Sequence, residues 1–216
     1  MSKQKDGVPI VLAASRVEAN DYDNNPFSAF LCTFPKKLSG YALKEQINNL
    51  PTNEDGTAKR TIYGLRKVES ILIDEFGEEN VVCAHYNELD RFIGKNTKVL
   101  GISSMDPINL AYVSTTYNSL IGFGGESLNA FEFEKLVSHP AILKFRPKVV
   151  VGGQGAWQIA EAKMQDKLHI DHLFQGEGER DLVTFFKKLM QDDEIPENFQ
   201  ARKPDRTNVP LIKKAA

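Results

Sequence analysis

Short, uninterrupted apolar runs alternate along the chain with segments in which apolar residues recur every three or four positions. The run that ends at Val151 is β-branched and lacks polar alternation, which is typical of a strand covered on both faces of a parallel sheet. The five predicted strands span residues 8–13, 80–84, 97–103, 146–151 and 170–174. The five predicted helices span residues 61–76, 108–121, 130–137, 156–164 and 182–190. This alternation predicts an α/β protein: a doubly wound sheet of five parallel strands with helices on both faces.

The segment after the first strand, residues 14–57, is too long and irregular for a simple connection. It contains many Asn, Asp and Ser residues, but also several aromatic residues, which disordered segments lack. Two interpretations stay open at this point. The segment forms either a lid over the edge of the sheet or a satellite hydrophobic cluster with no role in ligand binding.

The pattern divides the chain into two parts. Residues 1–190 carry the strand and helix signals and are predicted to form one domain, including the lid segment 14–57. Residues 191–216 are polar, contain several prolines and show no hydrophobic period, so they are predicted to be a linker that leaves the domain.

Composition and charge exclude several classes of protein. The 216 residues include 27 Lys and Arg against 29 Asp and Glu, which gives a net charge of −2 and no broad basic surface for nucleic acid. No apolar run approaches the ~20 residues that span a bilayer, and the N-terminus lacks the apolar core of a secretion signal. The two cysteines, Cys32 and Cys83, form no metal-binding motif. We therefore expect a cytoplasmic protein that binds neither membrane nor nucleic acid and holds no metal through its own residues.

Two glycine-rich turns follow the fourth and fifth strands. The candidate binding residues in these turns are Gly152, Gly153, Gln154, Gly155, Gly176, Glu177, Gly178 and Glu179. A turn between a strand and a helix presents backbone N–H groups to a ligand at the carboxyl edge of a parallel sheet. Tight connections in any doubly wound domain also use glycine, and neither turn matches the dinucleotide-binding or phosphate-loop pattern. The pair of turns predicts a binding edge without identifying its ligand.

Small polar residues follow the third strand at the same edge. Ser103, Ser104, Met105 and Asp106 precede Pro107, in a turn whose side chains face the glycine turns. The alternative interpretation is that Ser104 or Asp106 only caps the following helix. A hydrolase that uses Glu177 and Glu179 as an acid–base pair is disfavoured, because residues two apart at a helix start do not face each other.

These motifs together resemble the cobalamin-binding type of domain that precedes the barrel in many radical SAM proteins. The resemblance is carried by three stretches: Val149 to Trp157 with Gly176 to Glu179, Leu100 to Pro107, and Thr61 to Glu69. Ala14, Ser15 and Arg16 are similar to the loop after the first strand of that family. The resemblance covers most of residues 8–190 and implies a flavodoxin-like fold with a corrin ring over the carboxyl edge of the sheet.

By that resemblance the cofactor-binding residues would be Ser15, Arg16, the 103–106 loop and the two glycine turns. The chain departs from the pattern in two ways. The motif that supplies a histidine to cobalt is absent, since the expected loop reads Ser15-Arg16-Val17-Glu18. The three-cysteine motif of the radical SAM barrel is also absent, so the 4Fe-4S cluster and S-adenosylmethionine would belong to a barrel elsewhere in a longer parent chain.

Two functions follow from the resemblance. The first is a non-catalytic domain that presents cobalamin or a substrate to that barrel, in an enzyme of the methyltransferase type. The second is a degenerate domain that has lost the cofactor and serves as a docking or substrate-recognition module. Side chains of the lid that fill the edge crevice would favour the second, and an open crevice would favour the first.

Overall fold

The fold is described by a computed structural model that covers residues 6–120, 125–204 and 211–216. In this part of the chain six parallel strands form one sheet in the order β2-β1-β3-β4-β5-β6. The strands are β1 (Ile10–Ala14), β2 (Val81–Cys83), β3 (Val99–Ser103), β4 (Lys148–Gly152), β5 (His172–Gln175) and β6 (Asn198–Gln200). The prediction of an α/β, flavodoxin-like, doubly wound sheet is confirmed.

Helices connect the strands and cover both faces of the sheet. They are α1 (Pro26–Leu31), α2 (Lys36–Ala42), α3 (Lys44–Asn48), α4 (Tyr63–Phe76), α5 (Leu89–Phe92), α6 (Tyr112–Leu120), α7 (Leu128–Val137), α8 (Pro140–Phe145), α9 (Ala156–Ala162) and α10 (Leu182–Met190). All five predicted helices are present. The helix predicted over residues 108–121 begins only at Tyr112, because the Asp106 carboxylate accepts a hydrogen bond from the backbone N–H of Ala111, ahead of the first turn. Its predicted last residue, Ile121, lies outside the described residues.

The core has two layers because successive residues of a strand point to opposite faces. Ile10 and Leu12 of β1 pack with α4 and α10, whereas Val11 and Ala13 face the side that α7 and α9 cover. Helix α10 places Leu182, Phe185, Phe186 and Leu189 in the first of these layers. The register aligns Ala14 with Ser103 and Ser103 with Gly152, so the carboxyl ends of β1, β3 and β4 form one level edge.

The predicted count of five strands is wrong, since β6 adds a sixth. This strand lies within the segment 191–216 that the sequence assigns to a linker, and it pairs in parallel with β5. Phe199 anchors it by stacking on Phe174, with ring centroids 5.3 Å apart. A three-residue strand with a single apolar side chain produces no periodic signal, which explains why it was missed. Residues 205–210 of the same segment lie outside the described residues.

The lid segment is more regular than its sequence indicates. It contains α1, α2 and α3, and Asn25 caps α1 by accepting hydrogen bonds from the backbone of Phe27 and Ser28. The segment has a small core of its own, made of Val17, Tyr22, Cys32, Leu43 and Ile47 together with Leu128 of α7. The packing of the lid segment is therefore that of a satellite hydrophobic cluster. In the described residues, no helix combines the length and the apolar character needed to cross a membrane.

Candidate functional site

A deep slot opens at the carboxyl edge of the sheet, on the face that α4 and α10 cover. It has a volume of about 230 Å³. Its apolar lining residues are Leu12, Leu65, Val68, Ile71, Ile102, Val150, Phe174, Leu182 and Phe186. The other lining residues are Gly64, Lys67, Gly101, Ser103, Gly152, Gly153, Gly176, Glu177, Gly178 and Glu179. We refer to this cavity as the slot.

Gly101, in the middle of a central strand, is one of the residues that line the slot. On this face β1 and β4 present Leu12 and Val150, whereas β3 presents Gly101. A Cβ atom at Gly101 would lie 2.7 Å from Leu12 Cδ2, so any larger residue would push Leu12 aside. Glycine weakens a strand interior and commonly marks close approach by a ligand or another backbone. On the helix side, Gly64 has no atom within 4 Å of the position of a Cβ.

The glycine turn after β4 brings two loops into contact. Gly153 has φ +88°, and a Cβ there would lie 2.7 Å from the carbonyl oxygen of Ser104. The backbone N–H of Ser104 donates to the Gly152 carbonyl at 3.1 Å, and that of Gly155 donates to the Ser104 carbonyl at 2.9 Å. Gly155 leaves no room for a Cβ, which would lie 2.4 Å from Pro107 Cδ. These glycines therefore allow the turn after β4 to pack directly against the loop after β3.

Two residues that line the slot form an ion pair between two elements. Lys67 of α4 binds the carboxylate of Glu179, which lies in the turn after β5. Both side chains are largely buried, with exposed fractions of 21% and 16%. Gly176, in the same turn, has φ +106°, a left-handed conformation that favours glycine. The pair fixes the loop that carries Glu177, Gly178 and Glu179 against the helix beside the slot.

A second polar centre lies between the ends of β1 and β3. Glu18 Oε1 accepts hydrogen bonds from the Ser104 hydroxyl at 3.0 Å, from the Met105 N–H at 2.8 Å and from the Asp106 N–H at 3.3 Å. Its other oxygen, Oε2, is enclosed and has no hydrogen-bond partner in the described part of the chain. Burial raises the pKa of Glu18 above its usual value, although the hydrogen bonds from Met105, Ser104 and Asp106 oppose this shift.

Ser15 and Arg16 are engaged in contacts within the protein. The Arg16 guanidinium binds the buried carboxylate of Glu132, donates to Asn48 Oδ1 at 2.6 Å and lies 5.2 Å from the centre of the Tyr86 ring. The Ser15 hydroxyl accepts a hydrogen bond from the Glu18 backbone at 3.3 Å. These contacts fix the segment after β1, and the ligand role that the resemblance gives to both residues stays a prediction.

The structure separates the predicted binding residues into two groups. Ser103, Gly152, Gly153, Gly176, Glu177, Gly178 and Glu179 meet at the slot. Ser15, Arg16, Ser104, Met105, Asp106, Gln154 and Gly155 do not line it. Asp106 is buried, where it binds Ser114 and the start of α6, as the capping interpretation proposed. Met105 and Gln154 are exposed to solvent.

Several slot residues were missed by sequence reasoning. Lys67, Val68 and Gly64 belong to α4, and Phe186 belongs to α10, both of which were read only as core helices. Their role depends on which helix packs beside which strand, which the pattern does not give. Gly101 did carry a signal, because a glycine inside a buried apolar strand requires a structural reason.

Comparison of the chain with protein-family models, with curated proteins and with solved structures found no match. Among the described residues, no group of three or more His, Cys, Asp or Glu side chains is arranged to hold a metal ion.

Proposed function

We propose that this chain is a cofactor-presenting domain for a corrinoid of the cobalamin type. The slot would bind the planar base at the nucleotide end of that cofactor. The observation that carries the proposal is the open, glycine-lined slot at the carboxyl edge of a flavodoxin-like sheet. Ligands of open α/β sheets bind at this edge.

The size and the walls of the slot support a ligand that enters only in part. Pockets that enclose a whole small molecule measure roughly 300–1,000 Å³, and this slot is smaller, at about 230 Å³. Its apolar lining includes Phe174, Phe186 and Leu12, which suit a flat apolar ring. Cobalamin has such a ring in its nucleotide end, while its corrin is too large for the slot and would lie above the edge formed by Ala14, Ser103 and Gly152.

The residues present would hold this group without a histidine from the loop after β1. That loop reads Ser15-Arg16-Val17-Glu18, so it would supply no histidine ligand to the cobalt. Small residues at the edge permit close approach of a bulky macrocycle. When bound, a cobalamin would supply methyl-group transfer. The residues of this chain would only bind and orient it for a radical SAM barrel in the same parent protein, which would hold the 4Fe-4S cluster and S-adenosylmethionine.

A visible absorption titration of the chain with hydroxocobalamin and methylcobalamin tests the proposal. We expect a saturable shift towards a base-off spectrum, because the nucleotide base would occupy the slot instead of coordinating cobalt. A flat titration would contradict the proposal.

Gly64 offers a matched pair of variants for this titration. A Cβ atom at this position has no neighbour within 4 Å, so Gly64→Leu should fold, and its longer side chain should partly fill the slot. We expect it to weaken binding at least about tenfold, as a lost interaction of roughly 1.4 kcal/mol would. Gly64→Ala adds one methyl group and serves as the control. Equal binding by the two variants would place the ligand outside the slot.

A second function is favoured by one observation, the insertion of Glu18 into the loop after β3. A side chain of the lid segment there occupies donors that a ligand would otherwise use. This arrangement supports a docking module that has lost its cofactor. Binding of the separate barrel domain by this chain, combined with a flat cobalamin titration, would favour that function over the first.

A further inference from the structure

Three donors of the loop after β3 converge on a single oxygen atom. The Ser104 hydroxyl and the backbone N–H groups of Met105 and Asp106 all point to Glu18 Oε1, at 2.8 to 3.3 Å. We call these three donors the cradle. Successive backbone N–H groups that point to one place form a concave site for an acceptor oxygen.

The cradle lies where the connections of the sheet change direction. After β1 the chain crosses to β2 on one side, and after β3 it crosses to β4 on the other, so β1 and β3 flank the switch point of the sheet. Open α/β sheets bind ligands in the crevice at this point. Glu18 reaches the cradle from the segment that follows β1.

Glu18 is incompletely satisfied in this position. Its Oε2 atom is enclosed without a hydrogen-bond partner in the described residues. Burial disfavours the negative charge of Glu18, and the nearby carboxylate of Asp106, buried on the same loop, disfavours it further. A buried acceptor without a hydrogen-bond partner costs folding free energy. An oxygen atom of a ligand can therefore displace Glu18 from the cradle.

We infer that the cradle is a binding site for a carbonyl or carboxylate oxygen of a ligand, and that Glu18 is an exchangeable plug that fills it when no ligand is bound. The identity of the ligand rests on the proposed function, since the amide side chains of a corrinoid carry carbonyl oxygens. The cradle itself is defined by residues of this chain alone.

Small acceptor molecules test the cradle without any cofactor. In Glu18→Ala the cradle is vacated, and we expect sodium acetate to raise the Tm of this variant saturably at constant ionic strength. Acetamide replaces acetate in a parallel series, so the two series distinguish a charged carboxylate from a neutral carbonyl. Wild type and Glu45→Ala, which removes an exposed glutamate of α3, keep the Glu18 side chain in the cradle and should need about tenfold more acetate or acetamide for the same rise in Tm. The absence of a saturable response of Glu18→Ala to both probes would overturn the inference.

A second variant keeps the test decisive if Glu18→Ala does not fold. Glu18→Asp retains the carboxylate but shortens its reach, so acetate should stabilise it saturably and to a smaller extent. Glu18→Gln retains an acceptor oxygen of the same length and should behave as wild type. Equal stabilisation of Glu18→Gln and Glu18→Asp by acetate would contradict the cradle.

Hydroxocobalamin then separates the inference from the proposed function. If the plug leaves the cradle free in about a tenth of the molecules, its removal should tighten hydroxocobalamin binding about tenfold in Glu18→Ala. Acetate stabilisation of Glu18→Ala without hydroxocobalamin binding by either protein would retain the cradle and remove the proposed function. Equal hydroxocobalamin binding by both proteins, without any effect of acetate or acetamide, would retain the proposed function and remove the cradle.

Discussion

Arg16 and Glu132 form a two-pronged ion pair that joins the segment after β1 to helix α7. Arg16 Nε lies 2.6 Å from Glu132 Oε2, and Arg16 Nη2 lies 2.9 Å from Oε1. The two side chains are 9% and 2% exposed, so the pair is shielded from water. It connects residues that are 116 positions apart in the sequence and holds the lid segment on the body of the domain.

Breaking this pair from one side should destabilise the protein strongly. Among the described residues, Arg16→Met leaves the buried Glu132 carboxylate with Lys135 alone, 3.4 Å away, so we expect a loss of about 3–5 kcal/mol of unfolding free energy. Urea denaturation measures the loss. In the double variant Arg16→Met/Glu132→Leu the uncompensated charge is removed, and most of the loss should be recovered.

The exposed pair between Arg60 and Asp21 provides the control. Its side chains are 56% and 38% exposed, and Arg60→Met should cost less than about 1 kcal/mol. Equal effects of Arg60→Met and Arg16→Met would show that burial of the Arg16–Glu132 pair has no energetic consequence.

Substitution by alanine should change the stability of the protein in opposite directions at two glycines that line the slot. Gly153→Ala introduces a Cβ at φ +88°, 2.7 Å from the Ser104 carbonyl oxygen, and should cost more than about 1 kcal/mol. Gly64→Ala replaces a helical glycine in open space and should stabilise the protein by about 0.5–1 kcal/mol. Thermal unfolding of both variants checks the signs. A stabilising Gly153→Ala would contradict the close contact between the two loops.

The body of the sheet could be predicted because the first four strands carry apolar residues that both layers of the core require, whereas β5 buries only Leu173 and Phe174. Helix α10 was predictable for the same reason, since Leu182, Phe185 and Leu189 recur at helical spacing. The sixth strand could not be, because Phe199, which stacks on Phe174, is the single apolar residue of Asn198–Gln200 and gives no periodic pattern.

The candidate site was predictable only where the signal is local. Glycine turns after two strands are visible in the sequence, and most of their residues line the slot. Arg16 is different, because its partner Glu132 is distant in the sequence and only the folded chain reveals it. Lys67 could not be predicted for a related reason. It belongs to the site only because the turn that carries Glu179 packs beside α4 in the folded chain.

Both cysteines should be unreactive in the native protein. Burial raises the pKa of Cys83 to about 12 and that of Cys32 to about 11, and both thiols are at most 3% exposed. Because the thiolate is the reactive form, labelling with iodoacetamide at pH 8 should be slow in buffer and fast in denaturing urea. Rapid labelling of Cys32 alone under native conditions would indicate that the lid segment opens independently of the sheet.

The ion pair between Asp181 and Arg202 should make the attachment of β6 sensitive to acid. The Arg202 backbone N–H donates to Asp181 Oδ2 at 2.6 Å and its Nε to Oδ1 at 2.9 Å, which ties the residues after β6 to the start of α10. The hydrogen bond from the Arg202 side chain is the main cause that lowers the pKa of Asp181 below its usual value of 3.8. The resulting stability is present above pH 3.8 and is lost as the pH falls through the lower pKa of the folded state.

Arg202→Ala should therefore reduce stability at neutral pH, and its difference from wild type should shrink as the pH falls below about 4. Urea denaturation at a series of pH values measures this difference. The control is the same substitution in an Asp181→Asn background, where Arg202→Ala should have a smaller effect that does not vary with pH over this range. A difference between wild type and Arg202→Ala that stays constant down to pH 2 would show that the Asp181 carboxylate does not contribute to holding β6 on the sheet.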